Sequence, residues 1–310
     1  MILPPIMRLD KLARLTAAFV LVVPCLQANP SIDQRDTHER LTGALWMQTS
    51  AEYGVACRVI YRSAEAFLKT ALVDKTVTAI DAQRASEDYL SLPAVVIMDL
   101  DETVLDNTPF QAEIALARSG YDSAIWSAWV EKSEAAGVPG SVEFIKLVQS
   151  AGARVLFVTN RTKKEEPYTI ENLRKIGVQT EGNGADILCA DENGWTTDKE
   201  PRRMLVAQTN RVLMIVGDDL GDFVDGAKDT SENRRILANA HSAKWGNGWF
   251  LLPNCLYGSW EAALYQHKKG LPDETVLRLK WKILKGFSHH PDRTPLRTSR
   301  PRPLIPAEFP

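Results

Sequence analysis

Three short polar clusters each follow directly on an apolar run. Asp99-Leu100-Asp101-Glu102-Thr103 comes after 94–98, Thr159-Asn160-Arg161 after 154–158, and Gly217-Asp218-Asp219-Leu220-Gly221-Asp222 after 211–216. Carboxylates gathered at one point repel each other and rise in pKa unless a cation neutralises them. A few hard oxygen ligands suit Mg²⁺, which keeps several waters and accepts substrate phosphate oxygens. The chemistry open to such a set is nucleophilic catalysis by a carboxylate. Asp99 is the candidate to attack phosphorus and form an aspartyl-phosphate. Asp101, two residues on, is the candidate to protonate the leaving alcohol and then deprotonate the attacking water. Thr159 is suited to hydrogen-bond a phosphoryl oxygen. A lysine is expected, to offset charge building on those oxygens. Lys199, in Asp198-Lys199-Glu200-Pro201-Arg202-Arg203, is the candidate, with a solvated lysine at a basic helix start as its alternative.

Other chemistries find no support in the residues. Counting Asp99 as position one of a calcium loop puts Val104 where glycine is needed and Phe110 where glutamate is needed. There is no phosphate-binding P-loop motif and no G-x-S-x-G serine elbow. The five histidines (His38, His241, His267, His289, His290) form no catalytic pattern, and the four cysteines (Cys25, Cys57, Cys189, Cys255) contain no C-x-x-C pair.

The elements needed to hold these clusters can be read from hydrophobic pattern. Ala94-Val95-Val96-Ile97-Met98 is continuously apolar, as a strand buried on both faces requires. Similar runs recur at 154–158, 185–189, 211–216 and 249–252, separated by helical stretches such as 142–150 and 167–176. This alternation predicts an α/β fold, a Rossmann-like parallel sheet with helices on both faces. Ligands of such sheets bind beyond the carboxyl ends of the strands, where the polar clusters fall. Residues 33 to about 90 read as helices, with Ala56, Ile60, Ala64, Phe67 and Ala71 forming one apolar face, and predict a helical flank or cap.

The motifs resemble those of the haloacid dehalogenase superfamily. Further stretches, Leu45-Trp46-Met47-Gln48, Leu105-Asp106-Asn107-Thr108-Pro109-Phe110, Val138-Pro139-Gly140-Ser141 and Tyr257-Gly258-Ser259-Trp260-Glu261, resemble the class C bacterial acid phosphatases, the outer-membrane lipoprotein e and 5′-nucleotidase group. The resemblance spans roughly residues 40 to 265 and implies a haloacid dehalogenase-like fold. It implies that Asp99 is nucleophile and Mg²⁺ ligand, that Asp101 is acid/base and offers its main-chain carbonyl to the metal, and that Asp218 is the third ligand, with Asp222 supporting the site. It implies phosphate binding by Thr159, Asn160 and Lys199, and a nucleoside clamp of Phe110, Trp126 and Tyr257, whose alternative is plain packing. Small phosphomonoesters, nucleotides among them, are the expected substrates.

Of 310 residues, 45 % are apolar and 25 % charged, which excludes a disordered or fibrous chain, and a net charge of −2 argues against a nucleic-acid polymer as partner. That charge averages three regions: +2 over 1–28, −6 over 29–285 and +2 over 286–310. Residues 1–28, with Arg8, Lys11 and Arg14 before an apolar run and then Ala28, read as a signal peptide, which predicts a periplasmic or secreted protein. Residues 29–90 are the expected flank and 91–285 the core. The tail 286–310, with six prolines and four arginines, reads as an extended arm. Cys25 lacks the small preceding residues of a lipidation box, so an outer-membrane anchor through it is the lesser expectation. A non-catalytic phosphate-ester binding or storage protein, or a phosphotransferase, are the functional alternatives.

Overall fold

A computed structural model of the chain describes residues 38–285. The expected signal peptide with Cys25, and the Pro/Arg-rich tail, lie outside the described residues. The elements run α1 (Leu41–Thr49), α2 (Ala51–Val73), two 3₁₀ turns (Asp81–Ala85, Glu87–Ser91), β1 (Ala94–Met98), β2 (Leu105–Asp106), α3 (Thr108–Ala117), α4 (Ser123–Lys132), β3 (Ala136–Gly137), α5 (Ser141–Ser150), β4 (Arg154–Val158), α6 (Glu166–Lys175), β5 (Ile187–Leu188), α7 (Glu200–Thr209), β6 (Arg211–Gly217), α8 (Ser231–Ala240), β7 (Trp249–Leu251), α9 (Ser259–Ala263) and α10 (Asp273–Ile283).

Five strands form one parallel sheet in the order β5-β4-β1-β6-β7, with β1 in the middle. Its strands are apolar throughout because both faces are covered, and their side chains divide with period two. Val96 and Met98 of β1, with Val155 and Phe157 of β4, join the cluster under α2 and α5. Val95, Ile97, Leu156 and Val158 join the opposite cluster with Val206 and Ala207 of α7. The parallel order brings the carboxyl ends of β1, β4 and β6 side by side, and the three polar clusters with them.

The helical flank is present, but its buried seam differs from the expected one. Ala64 and Ala71 are buried as expected, whereas Ala56, Ile60 and Phe67 are half-buried and the seam is completed by Tyr53, Cys57, Tyr61 and Leu68. Two amphipathic residue types shift the face. Tyr61 is enclosed because its hydroxyl donates to the Thr103 carbonyl at 2.6 Å, and Cys57 packs as a small apolar side chain. Thus α2 lies on the sheet as a flank. The space above the strand ends is walled by α3 and α4, in the excursion between β1 and α5, by residues 257–265 around α9, and from the flank by Arg40 just ahead of α1.

The run at 185–189 shortens to a two-residue strand. Asp186 accepts the Glu181 amide at 3.0 Å and Asn183 accepts the Ala185 amide at 3.1 Å, so these side chains hold the segment in a turn until Ile187. Cys57, Cys189 and Cys255 are free thiols.

Candidate active site

The site begins where β1 ends. The Asp99 amide donates to the Val216 carbonyl at 3.0 Å, continuing the ladder one residue past the strand. The chain then turns tightly on the Leu100 carbonyl, which accepts the amides of Val104 and Leu105 at 2.7 and 2.8 Å. Glu102 sits in the left-handed region of this turn, with φ 58°, a conformation costly for a side-chain-bearing residue. Its buried carboxyl is what holds it: Oε1 accepts the Asn107 amide at 2.9 Å and Oε2 accepts the Tyr257 hydroxyl.

Lys199, the residue before α7, reaches back into this turn. Its ammonium donates to Asp99 Oδ1 at 2.5 Å and to Asp222 Oδ1 at 2.6 Å, and the side chain is buried. The solvated-lysine alternative is therefore overturned. Burial disfavours the Lys199 ammonium, but Asp222 and Asp99 outweigh it and hold its pKa above the ordinary value. Burial pushes Asp99 up; Lys199 opposes this, and Asp222 and Asp101 add to it, leaving about 7. Burial likewise raises Asp218 well above the carboxylate range, reinforced by Asp99 and Asp222.

Oxygens of Asp99, Asp218 and Asp222 lie within 4.8 Å of one another. Asp222 is already committed, since its Oδ2 accepts the amides of Asp218 and Asp219 at 3.0 and 2.9 Å while Oδ1 takes Lys199. Gly217 permits this approach: a Cβ there would stand 2.3 Å from Asp222 Oδ2. Asp218 is oriented by Thr103 Oγ1 at 3.0 Å and by Asn254 Nδ2 at 2.9 Å.

Thr159 and Asn160 follow β4. Thr159 Oγ1 accepts the Arg161 amide at 3.1 Å. Among the described residues no acceptor takes its own proton, which is free to meet an oxyanion. Asn160 is exposed, and its Oδ1 accepts from Arg202 at 2.9 Å, which turns the amide NH₂ the other way. Asp101 is held by Arg161 through Nη2 at 2.7 Å and Nε at 3.0 Å and by Asn107 Nδ2 at 2.9 Å, all on Oδ1. Oδ2 keeps only a 3.3 Å contact and is the oxygen left for proton exchange.

Asp101, Asn160 and Arg161 line a cleft of about 350 Å³ together with Phe110, Trp126 and Tyr257. The three aromatic residues thus meet at one opening. Phe110 stands edge-on to Trp126, ring centroids 5.1 Å apart at 77°, and is otherwise buried. Arg161 lies 5.6 Å from the Trp126 ring. Sequence reading missed Glu102, Asn107, Arg161, Arg202, Arg203 and Asn254 as parts of the site. For Arg202 and Arg203 a signal existed: with Lys199, Val206 and Ala207 they share one helical face, at spacings i, i+3, i+4, i+7 and i+8.

An aspartate-bearing loop at the central strand, a threonine turn at the next and an acidic turn at the third, tied by one lysine, define a haloacid dehalogenase-type α/β fold. The family model for HAD superfamily subfamily IIIB, acid phosphatase, matches residues 36–260, and the chain belongs to this family. The class C acid phosphatase of Bacillus anthracis superposes with a TM-score of 0.72 at 30 % identity, covering 82 % of this chain and 99 % of that one. The same enzyme with tungstate bound gives 0.71, also at 30 % identity, covering 80 % and 97 %. Among plant proteins, acid phosphatase 1 of Solanum lycopersicum is 26 % identical over 133 residues, 42 % of this chain and 52 % of its own. The stem 28 kDa glycoprotein of Glycine max is 24 % identical over 146 residues, 45 % of this chain and 56 % of its own. The chain spans about half the length of the plant relatives it matches.

Proposed function

We propose that the chain is a Mg²⁺-dependent phosphomonoesterase that works through an aspartyl-phosphate and accepts 5′-nucleotides, acting in the periplasm or outside the cell. The observation that carries the reading is the buried bridge from Lys199 to Asp99 and Asp222. It leaves two carboxylates sharing one ammonium, with the third, Asp218, beside them, at the point where a phosphoryl group would arrive.

The residues fit a divalent cation. The donors are hard oxygens, Asp218 is oriented by two hydrogen bonds, and the carboxylate charge exceeds the single lysine. Asp99, Asp218 and the Asp101 main-chain carbonyl would hold Mg²⁺, which when bound would neutralise charge on the phosphoryl oxygens.

The chain's own residues then act in order. The free Asp99 oxygen attacks phosphorus, the ester P–O bond breaks, and Asp101 Oδ2 gives a proton to the leaving alcohol. Lys199 and the Thr159 hydroxyl stabilise charge on the phosphoryl group, and Asn160 offers its amide NH₂. Asp101, now ionised and steadied by Arg161, takes a proton from water, whose oxygen attacks phosphorus. The Asp99–phosphorus bond breaks and phosphate leaves. Phe110, Trp126 and Tyr257 would stack a nucleobase without reading its identity, which supports broad nucleotide use. The Bacillus anthracis enzyme has tungstate, an oxyanion, bound in one structure, which supports an oxyanion as a ligand of this chain.

One experiment tests the reading: a panel of 5′-nucleotides, sugar phosphates and p-nitrophenyl phosphate, with EDTA and with Mg²⁺ restored. Hydrolysis that EDTA silences and Mg²⁺ restores is expected, with nucleotides preferred over sugar phosphates. Phosphate-ester binding without turnover would favour a storage role, a name carried by one relative, vegetative storage protein 1 of Arabidopsis thaliana.

A further inference from the structure

Lys199 reaches the nucleophile, yet the two cations after it on α7 have no part in the chemistry above. Arg202 is fully enclosed and Arg203 nearly so. Among the described residues no carboxylate forms an ion pair with either one. Burying a guanidinium without a counter-ion is costly, and a shorter polar residue or a water could satisfy one or two carbonyls more cheaply.

What distinguishes these two side chains is where their donors go. Arg202 Nη1 donates to the carbonyls of Thr159 and, at 3.3 Å, Leu188. Its Nη2 donates to Asn160 Oδ1 at 2.9 Å and to the carbonyls of Thr196 and Asp198, both at 3.1 Å. One planar group thus gathers the turn after β4 and the segment leading to Lys199. Arg203 Nη1 donates to the carbonyls of Gly221 and Asp222 at 2.9 and 3.1 Å, in the turn after β6.

We propose that Arg202 and Arg203 are positioning residues with divided duties: Arg202 sets the phosphate-binding turn Thr159-Asn160, and Arg203 sets the acidic turn that carries Asp218 and Asp222. The proposal rests on the phosphatase reading above. Arg202 fixes the Asn160 amide with NH₂ away from the guanidinium and pins the Thr159 main chain, so the hydroxyl keeps one direction. Its charge also lies fixed beneath the turn that meets the phosphoryl oxygens. Arg203 holds the backbone that lets Asp222 reach both Lys199 and the Asp218 amide. Because both arginines lie on the helix that begins beside Lys199, α7 registers three strand ends against one another. Lysine, a point donor, can serve only some of these acceptors.

The test compares the full-length protein with Arg202→Gln, Arg202→Lys, Arg203→Gln, Arg203→Lys and Thr159→Val. Two constants are read: inhibition by inorganic phosphate at saturating Mg²⁺, and Mg²⁺ binding by calorimetry without substrate. Arg202→Gln is expected to weaken phosphate inhibition by about tenfold or more and to leave Mg²⁺ binding within about twofold. Arg203→Gln is expected to do the reverse, weakening Mg²⁺ by about tenfold with phosphate inhibition little changed. The lysine variants, which keep charge and core contacts, should shift the same constants by less and serve if a glutamine variant fails to fold. Both constants moving together in either variant, or neither moving, overturns the proposal. Thr159→Val separates the two levels. If it leaves phosphate inhibition unchanged, the phosphatase reading itself fails at this turn. If it weakens inhibition while the Arg202 variants do not, only the positioning proposal falls.

Discussion

At the scale of single residues, the site is a problem in charge balance. Asp99, Asp218 and Asp222 crowd one another, and Lys199 is the ammonium between two of them. Removing that ammonium leaves buried carboxylates facing each other, which typically costs about 3–5 kcal/mol. Lys199→Met is therefore expected to lower the urea midpoint in that proportion and to abolish turnover, while Asp222→Asn added to it should recover part of the stability. A double variant no more stable than the single one would contradict the pairing. The aspartates were legible because residue type and position after an apolar run suffice to name a carboxylate site. Of the buried cations, only Lys199 was. Arg161, Arg202 and Arg203 were given no role, because the Asp101 carboxylate and the carbonyls that accept from them come from strands and turns far away in sequence, and the helical spacing of Arg202 and Arg203 shows only that they share a face.

Among the elements, the strands with unbroken apolar runs were the legible part, since burial on both faces leaves a plain mark in the sequence. The misreadings occurred where a polar group bends the rule. Asp186 breaks β5 by capping a turn, and Tyr61 moves the buried seam of α2 because a partner for its hydroxyl lies in the turn after β1. Arg211, at the start of the correctly expected β6, is another polar group with a long-range structural task. Its Nη1 donates to the carbonyls of Ala71, Asp74 and Val77, which closes the end of α2 and the loop after it. Arg211→Met should cost about 1–3 kcal/mol through orphaned carbonyls, with the kinetic constants of the remaining folded enzyme unchanged. A loss of turnover without a loss of stability would place Arg211 in the site, contrary to its position at the far end of the strand.

Over the whole molecule, the acidic body of residues 29–285, at −6, suits a protein completed by a cation. No helix among the described residues is long and apolar enough to cross a membrane. Under the proposed function, Mg²⁺ binding the folded state alone would stabilise it by mass action, about 2.7 kcal/mol at a hundred times its dissociation constant. A melting temperature that rises with Mg²⁺ and falls with EDTA is expected, and Asp218→Asn should remove most of that dependence. The proposed mechanism stands or falls with the phosphoryl bond to Asp99. The most direct measurement mixes Asp101→Asn with p-nitrophenyl phosphate, whose good leaving group needs no acid, then traps the enzyme with borohydride and locates the product by mass spectrometry. A burst of one nitrophenolate per enzyme with the reduced acyl-phosphate at residue 99 is the expected result. No burst, or label on any other residue, would contradict it.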